Sequence, residues 1–316
     1  MLRRAFLGAL SATALPAAAI TPRQRLDRVL EGRETDRPAF TFWYHFGLEK
    51  HPGERHAQAT LGFHRKFRTD LVKVMSDYPY PRAAGKWYEL REEKNPFPEQ
   101  IRALDLIRDG LEGQAHFIET IFNPWNMAEK LSSKEQVRAL MAEKPQALLD
   151  ALAVIARSQA NHARRARAAG ASGIFLAIAN AVDGVLTPAE YAKFSEPFDR
   201  MVIEAARTAP LSTLHLHGDK VFLDRFWKGW PAAAVSYSVH GTGLAAAQAR
   251  QRFAGILMCG LDERNFRNLT APEMKRQWIT ARTEAGARLV LAPGCSVPNE
   301  TTDNELLRVP RLFGVT

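Results

Sequence analysis

Residues 211–218 read LSTLHLHG, and this short stretch decides how the rest of the chain is interpreted. In a β-strand, successive side chains point to opposite faces of the sheet. His215 and His217 therefore share one face, and Leu214 and Leu216 share the other. The run ends at a glycine, which is typical of a buried strand that leads into a turn. The pattern predicts a strand that delivers two imidazoles to one place.

A second stretch, residues 291–295 with the sequence LAPGC, has the same form. Two histidines and one cysteine supply two nitrogen ligands and one sulfur ligand to zinc, and they leave a fourth position open. An open position is typical of catalytic rather than structural zinc sites. We therefore predict that His215, His217 and Cys295 hold zinc.

These residues also have ordinary structural interpretations. A strand histidine such as His215 is commonly buried and donates a hydrogen bond to a backbone carbonyl. Cys295 and Cys259 are the only two cysteines of the chain, and in an oxidising compartment such a pair can form a disulfide. The disulfide competes with the zinc site, because both need the sulfur of Cys295.

The form of these two stretches recurs along the whole chain. Apolar, β-prone runs alternate with segments of helical periodicity. This alternation predicts a parallel sheet with crossover helices, and a count of eight runs predicts a single (β/α)8 TIM barrel. The active site of such a barrel lies at the C-terminal ends of the strands. The predicted strands are residues 40–46, 71–77, 116–123, 173–180, 211–218, 234–240, 255–262 and 288–295.

Polar side chains gather near the ends of these runs. We predict that Asp77 and His240 handle protons in catalysis. The alternatives are that Asp77 caps the following turn and that His240 is an ordinary loop histidine. Glu119 has three further interpretations, as a fourth metal ligand, as a partner that orients a histidine and as a partner of an arginine. The residues predicted to line the substrate pocket are Trp43, His45, Tyr78, Glu119 and Asn180.

The composition is that of an ordinary globular chain with an excess of basic residues. Of 316 residues, 46% are hydrophobic and 24% are charged, which argues against both a disordered chain and a membrane-embedded bundle. The formal net charge is +9, but the lysines and arginines are spread along the chain rather than clustered. Nucleic-acid binding is therefore not predicted. We expect a small-molecule substrate, with a bias toward anionic ones.

Residues 1–20 have the form of an export signal. The sequence LRRAFLG at residues 2–8 precedes a weakly apolar, alanine-rich run that ends in small residues. This arrangement resembles a twin-arginine signal peptide, and it is too short to be a stable membrane anchor. We predict an exported, periplasmic protein whose mature domain is residues 21–316. The alternative is an apolar N-terminal helix of a cytosolic protein.

Several segments together resemble the uroporphyrinogen decarboxylase superfamily. The resemblance covers nearly the whole chain after the N-terminal segment, and it implies a (β/α)8 barrel. Asp77 stands where the decarboxylases of this superfamily carry their catalytic aspartate. In chain order, the segments are FRTDLVKVMSD at 67–77, LTPAEY at 186–191 with EP at 196–197, LHLHG at 214–218, MCGLD at 258–262 and LAPGC at 291–295.

Within that superfamily, the segment around Cys295 is more similar to the zinc-dependent branch, whose corrinoid-linked methyltransferases act on thiols. The pattern of that branch is His-x-Cys followed far downstream by Cys. His215 and Cys295 match it, whereas His217 stands where the branch has its first cysteine. Residues 38–48 contain no arginine, although the decarboxylases hold substrate carboxylates with paired arginines there. The resemblance thus implies zinc-dependent methyl or alkyl transfer and counts against uroporphyrinogen decarboxylation.

Three functions are compatible with the sequence. They are zinc-dependent methyl or alkyl transfer, a metal-free decarboxylase-type lyase centred on Asp77, and a non-catalytic ligand-binding barrel with a disulfide between Cys259 and Cys295. The sequence does not decide whether a corrinoid partner takes part.

The short tail after Glu305 leaves the last helix of the barrel truncated, and the second subunit of a homodimer could cover that flank.

Overall fold

Short strands alternate with helices along residues 20–75 and 78–315, the part of the chain that the computed structural model describes. The strands are β1 (Ala39–Phe40), β2 (Leu71–Val74), β3 (His116–Phe122), β4 (Ile174–Ile178), β5 (Thr213–Leu216), β6 (Ala234–Tyr237), β7 (Ile256–Leu261) and β8 (Leu289–Pro293). Their order in the sheet is β1-β8-β7-β6-β5-β4-β3-β2, and every hydrogen-bonded pair is parallel. The predicted single (β/α)8 TIM barrel is confirmed.

Helices surround the barrel and follow its strands. They are α1 (Pro22–Glu31), α2 (Gly53–Phe67), α3 (Pro98–Leu111), α4 (Pro124–Leu131), α5 (Lys134–Glu143), α6 (Pro145–Ala168), α7 (Pro188–Phe194), α8 (Glu196–Glu204), α9 (Val239–Thr242), α10 (Ala246–Arg252), α11 (Ala271–Ala285), α12 (Asp303–Leu306) and α13 (Arg308–Leu312). Across the described residues, none of the helices has both the length and the apolar character needed to cross a bilayer. The predicted export signal lies outside the described residues, apart from Ile20. The structure holds one copy of the chain, so the homodimer stays a prediction.

All eight predicted strands are present, and they are shorter than the apolar runs. The largest difference is in β1, predicted over residues 40–46, where only Ala39 and Phe40 pair with β8. Thr41 still donates its N–H to the carbonyl of Leu291 at 3.0 Å. Beyond Thr41 the chain leaves the sheet.

Apolar side chains of α1 and of the strands fill the interior of the barrel at its N-terminal end. Leu26 and Val29 of α1 are buried in one cluster with interior side chains of the strands, such as Leu71 and Val290. Strand residues of the opposite parity, such as Leu214, pack outward against the helices. Only the C-terminal end of the barrel is therefore open to a ligand.

β1 and β2 are not joined by a ladder of backbone hydrogen bonds, and Asp70 closes the seam between them. Its buried carboxylate accepts hydrogen bonds from Arg25 Nη1 at 2.6 Å, from Arg37 Nη1 at 2.5 Å and from the Phe40 N–H at 3.0 Å. The N–H of Asp70 in turn donates to the Phe40 carbonyl at 2.9 Å. One carboxylate thus joins α1, β1 and the start of β2.

A second set of contacts holds α1 against the bottom of the barrel. His116, at the start of β3, has Nε2 at 2.8 Å from Asp27 Oδ1 of α1 and Nδ1 at 2.7 Å from Ser172 Oγ. Burial lowers the pKa of His116. Asp27, His116 and Ser172 thus connect α1 to the start of β3 and to the segment before β4.

We predict that Asp70→Asn lowers the free energy of unfolding by about 3–5 kcal/mol, because it removes the anion that pairs with Arg37 and the buried one of the two anions that pair with Arg25, which keeps only Asp36. Denaturant unfolding followed by circular dichroism measures this loss. The matched control is Asp105→Asn, whose exposed carboxylate pairs with Arg108 on a helix surface and should change stability by less than about 1 kcal/mol. Equal losses in the two variants would contradict the role of Asp70.

Candidate metal centre and its cavity

A cavity of about 900 Å³ opens at the C-terminal end of the barrel. Trp43, Phe175 and His215 line it and contact one another, with ring centres 4.6 Å apart for Trp43 and Phe175 and 4.7 Å apart for Phe175 and His215. Small-molecule sites in proteins have volumes in this range, and barrel enzymes place their chemistry at this end. The cavity is therefore the candidate active site.

His215, His217 and Cys295 meet at the wall of this cavity. Their candidate ligand atoms all lie within 4.8 Å of one another. Nδ1 of His217 is 2.9 Å from Sγ of Cys295, and the two imidazole ring centres are 6.2 Å apart. His215 lies on β5, His217 directly follows β5, and Cys295 follows β8 with Gly294 between them. The structure thus brings together the three residues that the sequence pattern pointed to.

His215 is held in the form that binds a metal ion. Only 5% of the residue is exposed, and burial lowers its pKa well below the usual value, with the charges of His217 and Lys73 acting in the same direction. The imidazole is therefore neutral at physiological pH. Nδ1 lies 3.1 Å from Ser236 Oγ on β6, which leaves Nε2 as the ligand atom.

His217 is more exposed and is coupled to the cysteine. Its hydrogen bond with Cys295 raises the pKa of His217; burial opposes this shift, and the charges of Cys295 and Glu263 add to it. The sulfur of Cys295 and the imidazole of His217 are thus joined by one short contact. A metal ion at this position would replace that hydrogen bond as the link between the two side chains.

Glu263 is a supporting residue that the sequence analysis missed. Its buried carboxylate accepts hydrogen bonds from the Gly294 N–H at 3.1 Å and from Ser238 Oγ at 3.2 Å. A side chain at Gly294 would not fit, because a Cβ atom there would lie 2.3 Å from Cβ of Ser238. This packing fixes the peptide immediately before Cys295. The only sequence signal was the position of Glu263 after an apolar run.

The family model described as Uroporphyrinogen decarboxylase (URO-D) matches residues 58–309 of the chain. The chain belongs to the uroporphyrinogen decarboxylase family. The match takes in the strands that carry the candidate metal ligands, β5 and β8. No curated protein matches the sequence at a significant level.

Solved structures of other proteins share the fold of this uroporphyrinogen decarboxylase family member. A methyltransferase from Methanosarcina mazei is 16% identical with a TM-score of 0.74, and the match covers 93% of this chain and 98% of that chain. A B12-independent methionine synthase from Shewanella sp. W3-18-1, in complex with selenomethionine, is 11% identical with a TM-score of 0.60, and the match covers 88% and 96%. At such low identity the likeness shows the fold alone.

Two of the predicted pocket residues of this family member, Trp43 and His45, line the cavity. Both follow β1, on the segment that leaves the sheet. Asp77 lies outside the described residues, so its catalytic role stays a prediction. His240 does not line the cavity, because it lies on α9 with Nε2 at 3.3 Å from the Gly260 carbonyl.

The structure places Tyr78 and Glu119 elsewhere. Tyr78 donates its hydroxyl to the His51 carbonyl at 2.9 Å and lines a separate, smaller cavity. Glu119 is fully buried outside the barrel wall, with Oε1 at 2.8 Å from His162 Nε2 and Oε2 at 2.8 Å from Gln100 Nε2. The reason is strand parity: Thr120 of β3 points into the barrel and lines the cavity, so Glu119 must point out.

Asn180 is also directed away from the cavity. Its Oδ1 accepts from Asn123 Nδ2 at 2.8 Å, and its Nδ2 donates to Ser195 Oγ at 2.9 Å. Ala179, the residue before it, lines the cavity. Asn180 therefore lies one layer behind the cavity wall and holds the loop after β4 in place.

Both cysteines are free, so the disulfide between Cys259 and Cys295 is not formed. Cys259 is fully buried on β7, in the apolar layer between the strands and the helices. Burial raises the pKa of its thiol to about 12, which keeps it protonated and unreactive. Cys295 is the accessible cysteine at the cavity.

Asp199 of α8 completes the polar network behind the cavity wall. Its fully buried carboxylate accepts hydrogen bonds from Tyr191 OH at 2.8 Å, from Asn123 Nδ2 at 2.9 Å and from Ser195 Oγ at 3.0 Å. Burial raises the pKa of Asp199 to about 7, against the effect of these hydrogen bonds. The network connects the loops after β3 and β4 to the helices α7 and α8.

We predict that Asp199 makes stability depend on pH between about pH 4 and pH 7. The folded state holds the proton more tightly than the unfolded state, whose aspartate has a pKa near 3.9, so the stabilisation is complete below about pH 4 and is lost as the pH rises through 7. The loss is at most about 4 kcal/mol. Denaturant unfolding of wild type and Asp199→Asn at several pH values measures it. A difference between the two proteins that does not change with pH would refute this assignment.

Proposed function

We propose that this chain is an exported, zinc-dependent enzyme that transfers a methyl or another alkyl group, with a thiol as one reactant. The observation that carries the proposal is the approach of His215, His217 and Cys295, whose ligand atoms lie within 4.8 Å of one another in the cavity. The family assignment supports an enzyme of the methyltransferase or decarboxylase type. The proteins that share the fold include one named as a methyltransferase and one named as a methionine synthase.

The donor set fits zinc. Two imidazoles and one thiolate are preferred ligands of this ion, and three protein ligands are typical of sites that leave a position for a substrate. His215 would bind through Nε2, together with the side chains of His217 and Cys295. When bound there, zinc would lower the pKa of a coordinated thiol, so that the thiol ionises near neutral pH.

The chain's own residues orient these ligands. Ser236 holds the ring of His215 through Nδ1, and Glu263 holds the backbone that carries Cys295. The ring of Phe175 stacks on His215 and leaves an apolar surface beside the reacting groups. Because the set has one thiolate, where the methyltransferase branch has two, the metal would keep more positive charge and attract an anionic thiolate more strongly.

The two alternatives have less support. The lyase interpretation depends on Asp77, which lies outside the described residues, and on a carboxylate clamp for which residues 38–48 offer no arginine. The non-catalytic interpretation depended on a disulfide, and both cysteines are free. Neither alternative accounts for a neutral buried histidine, a second histidine and a cysteine that converge on one cavity.

We predict that the protein, purified without chelator and supplied with zinc, contains about one zinc per chain. His215→Ala and Cys295→Ala should each lose the metal, because each removes one of three ligands. Cys259→Ala is the matched control and should keep the zinc, since Cys259 lies in the apolar layer. Elemental analysis of the four proteins measures the outcome. A wild-type protein without zinc, or variants that retain it fully, would overturn the proposal.

The transfer reaction is tested in the same proteins. Incubation with methylcobalamin and a small thiol should yield the methyl thioether: the Co–C bond breaks, a C–S bond forms, the electron pair stays on cobalt as cob(I)alamin, and the thiol proton goes to solvent. Mass spectrometry detects the product. Formation by wild type and Cys259→Ala, but not by Cys295→Ala, is the expected result and would show that a corrinoid can serve as the methyl donor.

We predict that export depends on the paired arginines of the LRRAFLG segment. Substitution of Arg3 and Arg4 by lysine should leave the protein in the cytoplasm with residues 1–20 attached, because twin-arginine signals are read through that pair. Cell fractionation and the mass of the purified chain measure this. Equal periplasmic amounts of the two forms would contradict twin-arginine export.

A further inference from the structure

A long loop on the side of the barrel is closed by one hydroxyl group. Residues 80–93 contain no helix or strand. The hydroxyl of Tyr80 and the N–H of Glu93, at the two ends of this stretch, both donate to Oγ of Ser158 on α6, at 2.8 Å and 2.9 Å. Compact surface loops whose ends meet are called Ω-loops, and they frequently carry function. We refer to residues 80–93 as the Ω-loop.

The middle of the Ω-loop holds two aromatic rings at the surface. Trp87 and Tyr88 make an edge-to-face contact, with their ring centres 5.6 Å apart. Both rings pack against the apolar core, and both stay partly exposed. Nζ of Lys86 lies 5.9 Å from the centre of the Tyr88 ring. Tryptophan and tyrosine combine an apolar body with a polar group, and they are enriched where a protein meets the headgroup layer of a membrane.

The Ω-loop and the part of α6 beside it carry an excess of positive charge. Residues 80–94 and 157–165, which together we call the basic patch, contain seven basic and three acidic side chains and therefore have a net charge of +4. The acidic residues Glu92 and Glu89 are already paired with basic side chains of the patch, with N···O distances of 2.9 Å and 3.7 Å. The basic residues, all of them exposed, are Arg82, Lys86, Arg91, Lys94, Arg157, Arg164 and Arg165.

Three of these basic side chains line one groove. The groove has a volume of about 440 Å³, lies between the end of the Ω-loop and α6, and is lined by Lys94, Arg164 and Arg165 together with Asn161. Both guanidinium groups bind neutral oxygens here: Arg164 Nη2 is 2.7 Å from Asn161 Oδ1, and Arg165 Nε is 2.7 Å from the Lys94 carbonyl. These contacts leave the positive charges uncompensated and leave other N–H groups for a further acceptor. A phosphate group matches such donors in charge and geometry.

We propose that the basic patch binds the surface of an anionic phospholipid bilayer. Lys94, Arg164 and Arg165 contact the lipid phosphates. Trp87 and Tyr88 lie in the headgroup layer. Basic groups beside interfacial aromatic rings are the combination by which peripheral proteins attach to such surfaces, whereas an acidic polypeptide would be attracted by the charges alone. None of these five residues lines the candidate active site, so the inference is independent of the proposed reaction.

Sedimentation with large unilamellar vesicles measures the binding. Vesicles that contain phosphatidylglycerol and phosphatidylcholine are compared with vesicles of phosphatidylcholine alone, at low and at high salt. We expect the purified chain to bind the anionic vesicles about 100-fold more tightly than the neutral ones, since each basic group near an anionic surface contributes about a fivefold step in affinity. Binding should weaken as the salt concentration rises, because salt screens the attraction between exposed charges.

A triple variant assigns the binding to the groove. Lys94→Gln, Arg164→Gln and Arg165→Gln together should lower the affinity for anionic vesicles about 100-fold, because they remove three charges at about a fivefold step each. Circular dichroism shows whether the variant is folded.

The matched control removes the same number of charges elsewhere. Lys275→Gln, Arg276→Gln and Arg311→Gln alter exposed residues of α11 and α13. α11 leads into β8, whereas α6 leads into β4, and these strands lie four places apart in the order of the eight strands. The control therefore changes the opposite side of the barrel and should bind anionic vesicles nearly as well as the wild type does. All forms share the same N-terminal segment, so a difference between the two triple variants belongs to the basic patch.

Fluorescence quenching tests the aromatic part of the inference. Lipids brominated close to the headgroup should quench part of the tryptophan emission when the protein binds anionic vesicles. Trp87→Phe removes one of six tryptophans, and it should remove most of this quenching while the protein still binds, because phenylalanine keeps an aromatic ring at that position. The test needs none of the charge variants, so it also decides the outcome if the triple variant does not fold.

Several results would overturn the inference. One is equal binding to anionic and neutral vesicles, and another is an equal loss of binding in the two triple variants. Quenching that persists in Trp87→Phe would show that a different surface faces the bilayer. Complete release of the protein from vesicles by polyglutamate or by inorganic phosphate, at constant ionic strength, would identify an acidic polypeptide or a soluble anion as the ligand instead.

Discussion

The carboxylate of Asp70 is the interaction on which the barrel depends most. A closed barrel needs every strand joined to two neighbours, and β1 is too short to form a ladder with β2. Asp70 replaces that ladder with hydrogen bonds to the Phe40 backbone and to two guanidinium groups. The arrangement is tolerated in the interior because the charges are paired and hydrogen-bonded. Trp43 follows β1 and Lys73 lies on β2, and both line the cavity. The contact through Asp70 therefore also positions this part of the cavity wall.

The fold and the cluster of His215, His217 and Cys295 could be predicted because each depends on a simple periodicity. Apolar runs that alternate with helical segments leave few architectures besides the barrel. In a parallel barrel all strands end at one face, so residues that follow β5 and β8 meet although they are far apart in the chain. In β5, Leu214 and Leu216 flank His215, so the sequence itself indicates that the leucines face the helices and that the histidine faces the interior of the barrel.

Polar residues near the ends of β3 and β4 could not be placed, because both faces of a parallel strand are apolar. β3 and β4 are buried between the barrel interior and the helices, so their sequences do not show which parity points inward. Glu119 and Asn180 were therefore assigned to the cavity, although Glu119 points outward to α3 and α6 and Asn180 to Ser195 between α7 and α8. Glu263 was missed for another reason. It binds a backbone N–H of a distant strand end, and no sequence pattern reports such a contact.

The distance along the chain between the metal ligands determines when the site can exist. His217 and Cys295 are 78 positions apart, and Cys295 is placed only when β8 docks between β7 and β1. Contacts between such remote segments form late, because the loop between them must first be closed. A metal ion bound at this cluster would therefore be acquired by a chain that is already almost completely folded. Delivery of such an ion and completion of the barrel would be consecutive events, and the compartment in which the last strand docks would decide which metals are at hand.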